Sequence, residues 1–110
     1  MRKLVLTLCA LTAMSAASTA ANAATIAGAP SCGTWVKDRA SKDWPELADT
    51  MWLLGYLSGI ATTSRSYFLR DTKNDSLTLW VDNYCQANPL DYLNDAGDKL
   101  ASELIRRSKK

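Results

Sequence analysis

Residues 74–89 read Asn-Asp-Ser-Leu-Thr-Leu-Trp-Val-Asp-Asn-Tyr-Cys-Gln-Ala-Asn-Pro, and this stretch decides the fold class. Leu77, Trp80, Val81, Tyr84 and Cys85 recur at the i, i+3, i+4, i+7, i+8 spacing of a single helix face. Asp82, Asn83 and Gln86 fall off that stripe. Asn74 or Asp75 can cap the helix at its start. It stops before Asn88-Pro89, because a proline disfavours helical backbone in the residue before it.

The same junction predicts the start of the next helix, with Asn88 as N-cap, Pro89 at the first position and Asp91 at the third. Leu93, Ala96, Leu100 and Leu104 then make one face, and Asp91, Asp95, Asp98 and Ser102 the other. Asp95–Lys99 and Glu103–Arg107 are i, i+4 pairs with the acid on the favourable, N-terminal side. Upstream, residues 67–75 are polar and turn-rich. Before them a helix is predicted over 45–64, opened by Pro45, with Glu46 and Asp49 in its early turns. One of its sides carries Leu53, Leu57 and Ile60, and the other carries only Gly55, Ser58, Gly59 and Thr62. That small side predicts close packing against a neighbouring helix, with a groove for a peptide as the alternative. A short helix over 32–40 places Cys32, Trp35, Val36 and Arg39 at helical spacing, after a loose tail over 24–31 and before a polar break at 41–44. No stretch alternates as a strand does. The predicted fold is all-α, a small four-helix domain.

What precedes that domain reads as an address. Arg2 and Lys3 lead an apolar run, Leu4 to Met14, followed by small residues and Ala21-Asn22-Ala23. This is the pattern of a cleaved signal peptide over 1–23, and it predicts a periplasmic protein beginning at Ala24 as a single domain over 24–110. The run is too short to span a bilayer, which needs about 20 apolar residues, so no membrane contact is expected after cleavage. Loss of Arg2 and Lys3 takes Lys+Arg from 13 to 11, against 11 Asp+Glu, so the chain of 110 residues loses its formal +2 charge. Such a balance does not suit nucleic acid, and it does little to hold identical subunits apart, which permits a homodimer.

Cleavage also leaves two of the three cysteines, Cys32 and Cys85. An even pair in an exported chain predicts one disulfide. The competing reading, thiolate ligands for zinc, lacks a histidine or further cysteine to complete the site. The chain has no histidine at all, which removes the commonest general base and metal ligand. Asp91, Asp95 and Asp98 form an acidic ridge, but a carboxyl acting as general acid needs burial, and these three face away from the leucine stripe. Ser58, Ser64 and Ser66 lack a histidine partner, and no lysine sits at a Ser-x-x-Lys spacing. No catalytic residue, metal ligand or cofactor is expected. Of the four tryptophans, Trp35, Trp52 and Trp80 fall on apolar faces, whereas Trp44 sits at a helix start and suits a surface role.

Cys32-x-x-Trp35, Trp52-Leu53-Leu54-Gly55 and above all Tyr84-Cys85-Gln86-Ala87-Asn88-Pro89 resemble the HdeA/HdeB family of periplasmic acid-stress chaperones. That resemblance implies a small helical protein, dimeric and idle near neutral pH, that binds unfolded periplasmic proteins in acid. On this reading loss of carboxylate charge near pH 2 leaves the 11 basic side chains to repel one another, and Leu53, Leu57, Leu93 and Leu100 become the client-binding surface. A second resemblance is to the Tai-type immunity proteins of type VI secretion, carried by Gly55-Tyr56-Leu57-Ser58-Gly59, by Tyr84 to Pro89 and by Ala96 to Leu100. It implies one effector protein as stoichiometric partner.

Overall fold

In a computed structural model, which describes residues 25–109, the chain forms four helices: α1 (Cys32–Ser41), α2 (Trp44–Ser64), α3 (Asn74–Ala87) and α4 (Leu93–Ser108). The signal segment over 1–23 and the predicted mature start at Ala24 lie outside the described residues. α1 and α4 each pack against both α2 and α3. The core is the common interior of these contacts: Trp35, Leu53, Leu57, Val81 and Leu93 are fully buried, with Leu77 and Leu100 almost so. Cys32 and Cys85 are buried and bonded to each other, which ties α1 to α3.

Local chemistry sets the ends. Ser31 Oγ accepts from the Thr34 N–H at 3.1 Å and caps α1. Lys42 ends α1 in the left-handed conformation, at φ 50°. Asp43 Oδ1 then takes the Trp44 N–H at 2.7 Å and opens α2, so that Pro45 is its second residue. α3 starts at Asn74 itself, with Lys73 as N-cap and no side-chain cap, one residue earlier than the sequence suggests.

The predicted start of the last helix needs correction. Asn88 does not cap α4. Its N–H and its Nδ2 both donate to Tyr84 O, at 2.9 Å each, and so finish α3. Asn88-Pro89-Leu90-Asp91 is a turn closed by Asp91 N–H to Asn88 O at 3.1 Å, with Asn and Pro in the positions a type I turn favours. α4 opens four residues later than expected, and Asp95 Oδ2 reaches back to the Tyr92 N–H at 2.9 Å. The start is fixed from a distance, because Cys32 N–H donates to Asp91 O and Leu93 N–H to Pro30 O, both at 2.8 Å. This isolated Ser31–Tyr92 bridge also means that the N-terminal tail is not loose throughout. Further out, Ala27 O accepts from Trp52 Nε1 at 3.2 Å.

The small side of α2 also differs from expectation. Gly55, Ser58, Gly59 and Thr62 are all exposed, and no neighbouring atom lies within 4 Å of where a Cβ would stand on Gly55 or Gly59. Nothing among the described residues packs there, because α1 and α4 take the other sides of the helix. Gly97 of α4 is the close-approach glycine instead: a Cβ there would meet Tyr56 Cδ1 at 2.8 Å. One substitution should therefore act with opposite signs at these positions. Gly55→Ala or Gly59→Ala is expected to raise stability by about 1 kcal/mol through helix propensity alone. Gly97→Ala is expected to lower it, because about 1–3 kcal/mol of overpacking exceeds the same gain. Urea unfolding of the three variants checks this, and a stabilised Gly97→Ala would contradict the packing described.

Candidate functional site

The four leucines predicted to hold clients are core residues in this fold: Leu53, Leu57 and Leu93 are fully buried and Leu100 is 2% exposed. Trp44 is the opposite case, 71% exposed at the first position of α2. Leu47 and Met51 follow it at i+3 and i+7, also more than half exposed, so the three make one row. Gly55, Ser58, Gly59 and Thr62 continue that face along the helix. Apolar side chains exposed singly are ordinary on a soluble protein, and Tyr67, Leu79 and Leu90 are of that kind. Three in a row that lead onto a strip with no side-chain bulk make a shaped surface.

At the Trp44 end this face borders a groove of about 570 Å³ between the end of α1 and the starts of α2 and α3, lined by Arg39, Trp44, Glu46, Leu47, Asp75 and Thr78 among others. Its charged wall is held firmly. Arg39 Nη1 lies 2.6 Å from Glu46 Oε1, and its Nε and Nη2 donate to the two carboxylate oxygens of Asp82 at 2.9 and 3.0 Å. The guanidinium also lies over the Trp35 ring, 5.6 Å from its centroid. The hydrogen bond to Asp82 raises the Arg39 pKa further, against the opposing effect of burial. Trp35 Nε1 donates to the same Asp82 Oδ1 at 2.8 Å. Asp82 thus joins α1 to α3, although in sequence it is only an off-stripe residue.

The acidic ridge is not an idle solvated face. Asp91 accepts from the Tyr84 hydroxyl, Asp98 accepts from the Tyr56 hydroxyl at 2.7 Å, and Asp95 caps α4. Both tyrosines are pushed up to about 12, Tyr84 chiefly by its bond to Asp91 and Tyr56 chiefly by burial. Each tyrosine also stacks on a tryptophan four residues before it, Trp52 on Tyr56 and Trp80 on Tyr84, with ring planes 11° and 10° from parallel. The repeated Trp-x-x-x-Tyr spacing was the signal in the sequence for these two pairs. Trp52 and Trp80 are half-buried at the edge of the core, whereas Trp35 is fully inside it. Of the predicted helix-surface pairs, Glu103–Arg107 forms at 2.8 Å and gains Arg106 at 2.6 Å, while Asp95 and Lys99 form no ion pair among the described residues.

One carboxyl is chemically unusual. Asp49 of α2 is buried, its Oδ2 has no hydrogen-bond partner among the described residues, and Asp38 of α1 stands beside it. Burial, and then the Asp38 carboxyl, raise Asp49 to about 6. It does not line this groove, and its proton bears on stability. A folded-state pKa above the unfolded value of about 3.9 means that the native state takes up a proton first, and stability rises as pH falls from 7 through 6. Glu103 acts in the opposite sense. Bonds from Arg106 and Arg107 pull it down to about 2, so its stabilisation is present above the unfolded pKa and fades as pH drops toward 2. Asp49→Asn is expected to stabilise the protein at pH 7 by on the order of 1–2 kcal/mol and to have little effect at pH 4. Chemical unfolding at the two pH values checks this, and an equal shift at both would contradict it.

No family model, curated protein or solved structure matches the chain.

Proposed function

We propose that this chain is an exported, non-catalytic binding protein of the periplasm that docks one partner protein through the Trp44–Leu47–Met51 face of α2. The observation that carries this reading is that face itself. It is exposed in the folded, disulfide-tied state, it is anchored by a tryptophan beside a rigid Arg39–Glu46–Asp82 network, and it runs on to Gly55 and Gly59, where a partner backbone can come close. Tryptophan beside a fixed polar rim is the composition of an interface hot spot. A single specific partner at neutral pH is what the Tai-type resemblance implies, namely an effector of type VI secretion neutralised in the periplasm. The HdeA/HdeB-like reading, an acid-stress chaperone for unfolded clients, instead requires Leu53, Leu57, Leu93 and Leu100 to leave the core in acid.

One experiment separates the two. The purified protein is used as bait at pH 7 against periplasmic extracts of the producing cell and the effector proteins secreted by its competitors. It is also added to an acid-sensitive client at pH 2–4, with light scattering and hydrophobic-dye binding as readouts. The proposal expects one stoichiometric partner at pH 7, with affinity lowered by on the order of 2 kcal/mol in Trp44→Ala and sharply in Gly59→Arg, while both variants stay folded. A partner bound equally well by both variants would remove α2 from the role. Suppression of client aggregation in acid, with no neutral-pH partner, would establish the chaperone reading in its place.

A further inference from the structure

A second groove, shallow and open to solvent, with a volume of about 620 Å³, runs between α3 and α4 on a surface distinct from the Trp44 face. One wall is the stacked pair Trp80 and Tyr84, with ring centroids 5.6 Å apart. The other is a stripe of α4 carrying Asp98, Lys99, Ser102, Glu103 and Arg106. Three features of this groove bear on what it could hold. The Trp80 indole N–H is not buried and has no hydrogen-bond partner among the described residues, whereas those of Trp35 and Trp52 donate to Asp82 and to Ala27 O. Asp98 uses Oδ1 for the Tyr56 hydroxyl and leaves Oδ2 open, next to a Lys99 that makes no ion pair among the described residues. The charged groups cancel, since Glu103 is held by Arg106 and the remaining pair, Asp98 and Lys99, is of opposite sign.

That combination selects a class of ligand. A phosphate would face two carboxylates, and a cation would face Lys99 and Arg106. A purely apolar ligand would leave the indole N–H and the Asp98 oxygen unpaired. A neutral pyranose fits each part of the groove: its C–H face lies against the electron-rich face of an aromatic ring, and the hydroxyls around its edge both donate and accept, which Asp98, Lys99, Ser102 and the indole N–H can match. We propose that the Trp80–Tyr84 groove is a binding site for a neutral oligosaccharide, with one sugar ring seated on the aromatic pair and its hydroxyls held by α4.

The test uses the purified chain labelled with 15N and titrated separately with N-acetylglucosamine trimer, cellotriose and maltotriose, following the four indole N–H resonances and the backbone amides of α3 and α4, which also report on the variants. The expected result is a saturable shift of the Trp80 N–H with at least one trisaccharide, while that of Trp44 stays in place. Trp80→Phe keeps an aromatic ring in the position but shortens the platform and removes the indole N–H, and is expected to weaken binding by up to about tenfold. Lys99→Ala, on the exposed rim, is expected to weaken it several-fold without affecting the fold. Absence of a saturable Trp80 shift with all three sugars would overturn the proposal, as would binding that both variants retain at full strength. Inorganic phosphate shifting Trp80 more than any trisaccharide would overturn it as well.

Discussion

Replacing Cys32 and Cys85 together by serine is expected to cost about 4 kcal/mol. The bridge joins residues 53 apart, and closing a loop of that length removes about 4 kcal/mol of chain entropy from the unfolded state on the usual model. A domain of this size has little stability to spare. At about 4–8 °C per kcal/mol for such a domain, the melting temperature should fall by roughly 15–30 °C. Two buried apolar sulfurs would also become hydroxyls with no bonding partner provided for them, which adds to the loss. Thermal melts of the oxidised protein, the reduced protein and the double variant check this. A melting temperature that moves by less than about 5 °C in the reduced protein would mean that the helices hold α1 and α3 together without the bridge.

Asp82→Ala is expected to cost about 3 kcal/mol. The carboxylate takes three hydrogen bonds from α1: Trp35 Nε1 and Arg39 Nε on one oxygen, Arg39 Nη2 on the other. Trp35 is fully buried, so its indole N–H would be left without a partner, at about 1–3 kcal/mol. Arg39 would keep only Glu46, and with both charged side chains about one-quarter exposed the loss there is smaller than for a fully buried pair. Asp82→Asn preserves an oxygen for the indole and removes the charge, so it is expected to cost about half as much. The measurement is the urea midpoint at constant slope. The ordering Ala worse than Asn is the informative result, and the reverse would place Trp35 rather than Arg39 outside the network.

The parts of this fold legible in the sequence are those where burial and helical period coincide. Leu77, Val81 and Cys85 on α3, and Leu93, Ala96 and Leu100 on α4, occupy the interior that their spacing predicts. Trp44 was legible as a surface residue from its place at a helix start. Where a local pattern supports two structures, the outcome was set elsewhere in the chain. Asn-Pro followed by Asp opens a helix or a turn equally well, and the backbone bonds from Pro30 and Cys32 decide for the turn. A strip of small residues suits close packing or an open face, and a bundle with only α1 and α4 to lay against α2 leaves it open. Asp82 and Asp98 read only as residues off the apolar stripes, because their partners, Trp35, Arg39 and Tyr56, lie more than 40 residues away in sequence. Helical period reports which side of a helix is apolar, but carries no information on which distant donor meets a carboxylate.

The short bridge between Ser31 and Tyr92 has a consequence for the order of assembly. Residues 30–32 are fastened within a few positions of one another to Cys85, to Asp91 and to Leu93. A polypeptide appears from its N-terminal end, so this segment is made early and is followed by more than 50 residues before the long-range partners that fix it, Cys85, Asp91 and Leu93. Closing so long a loop precedes any reward from the contacts it allows. The last turn before α4 is then where the domain locks, and a chain truncated before Leu93 would retain both cysteines and the Cys32–Asp91 bond but lose the Leu93–Pro30 bond that completes the strap.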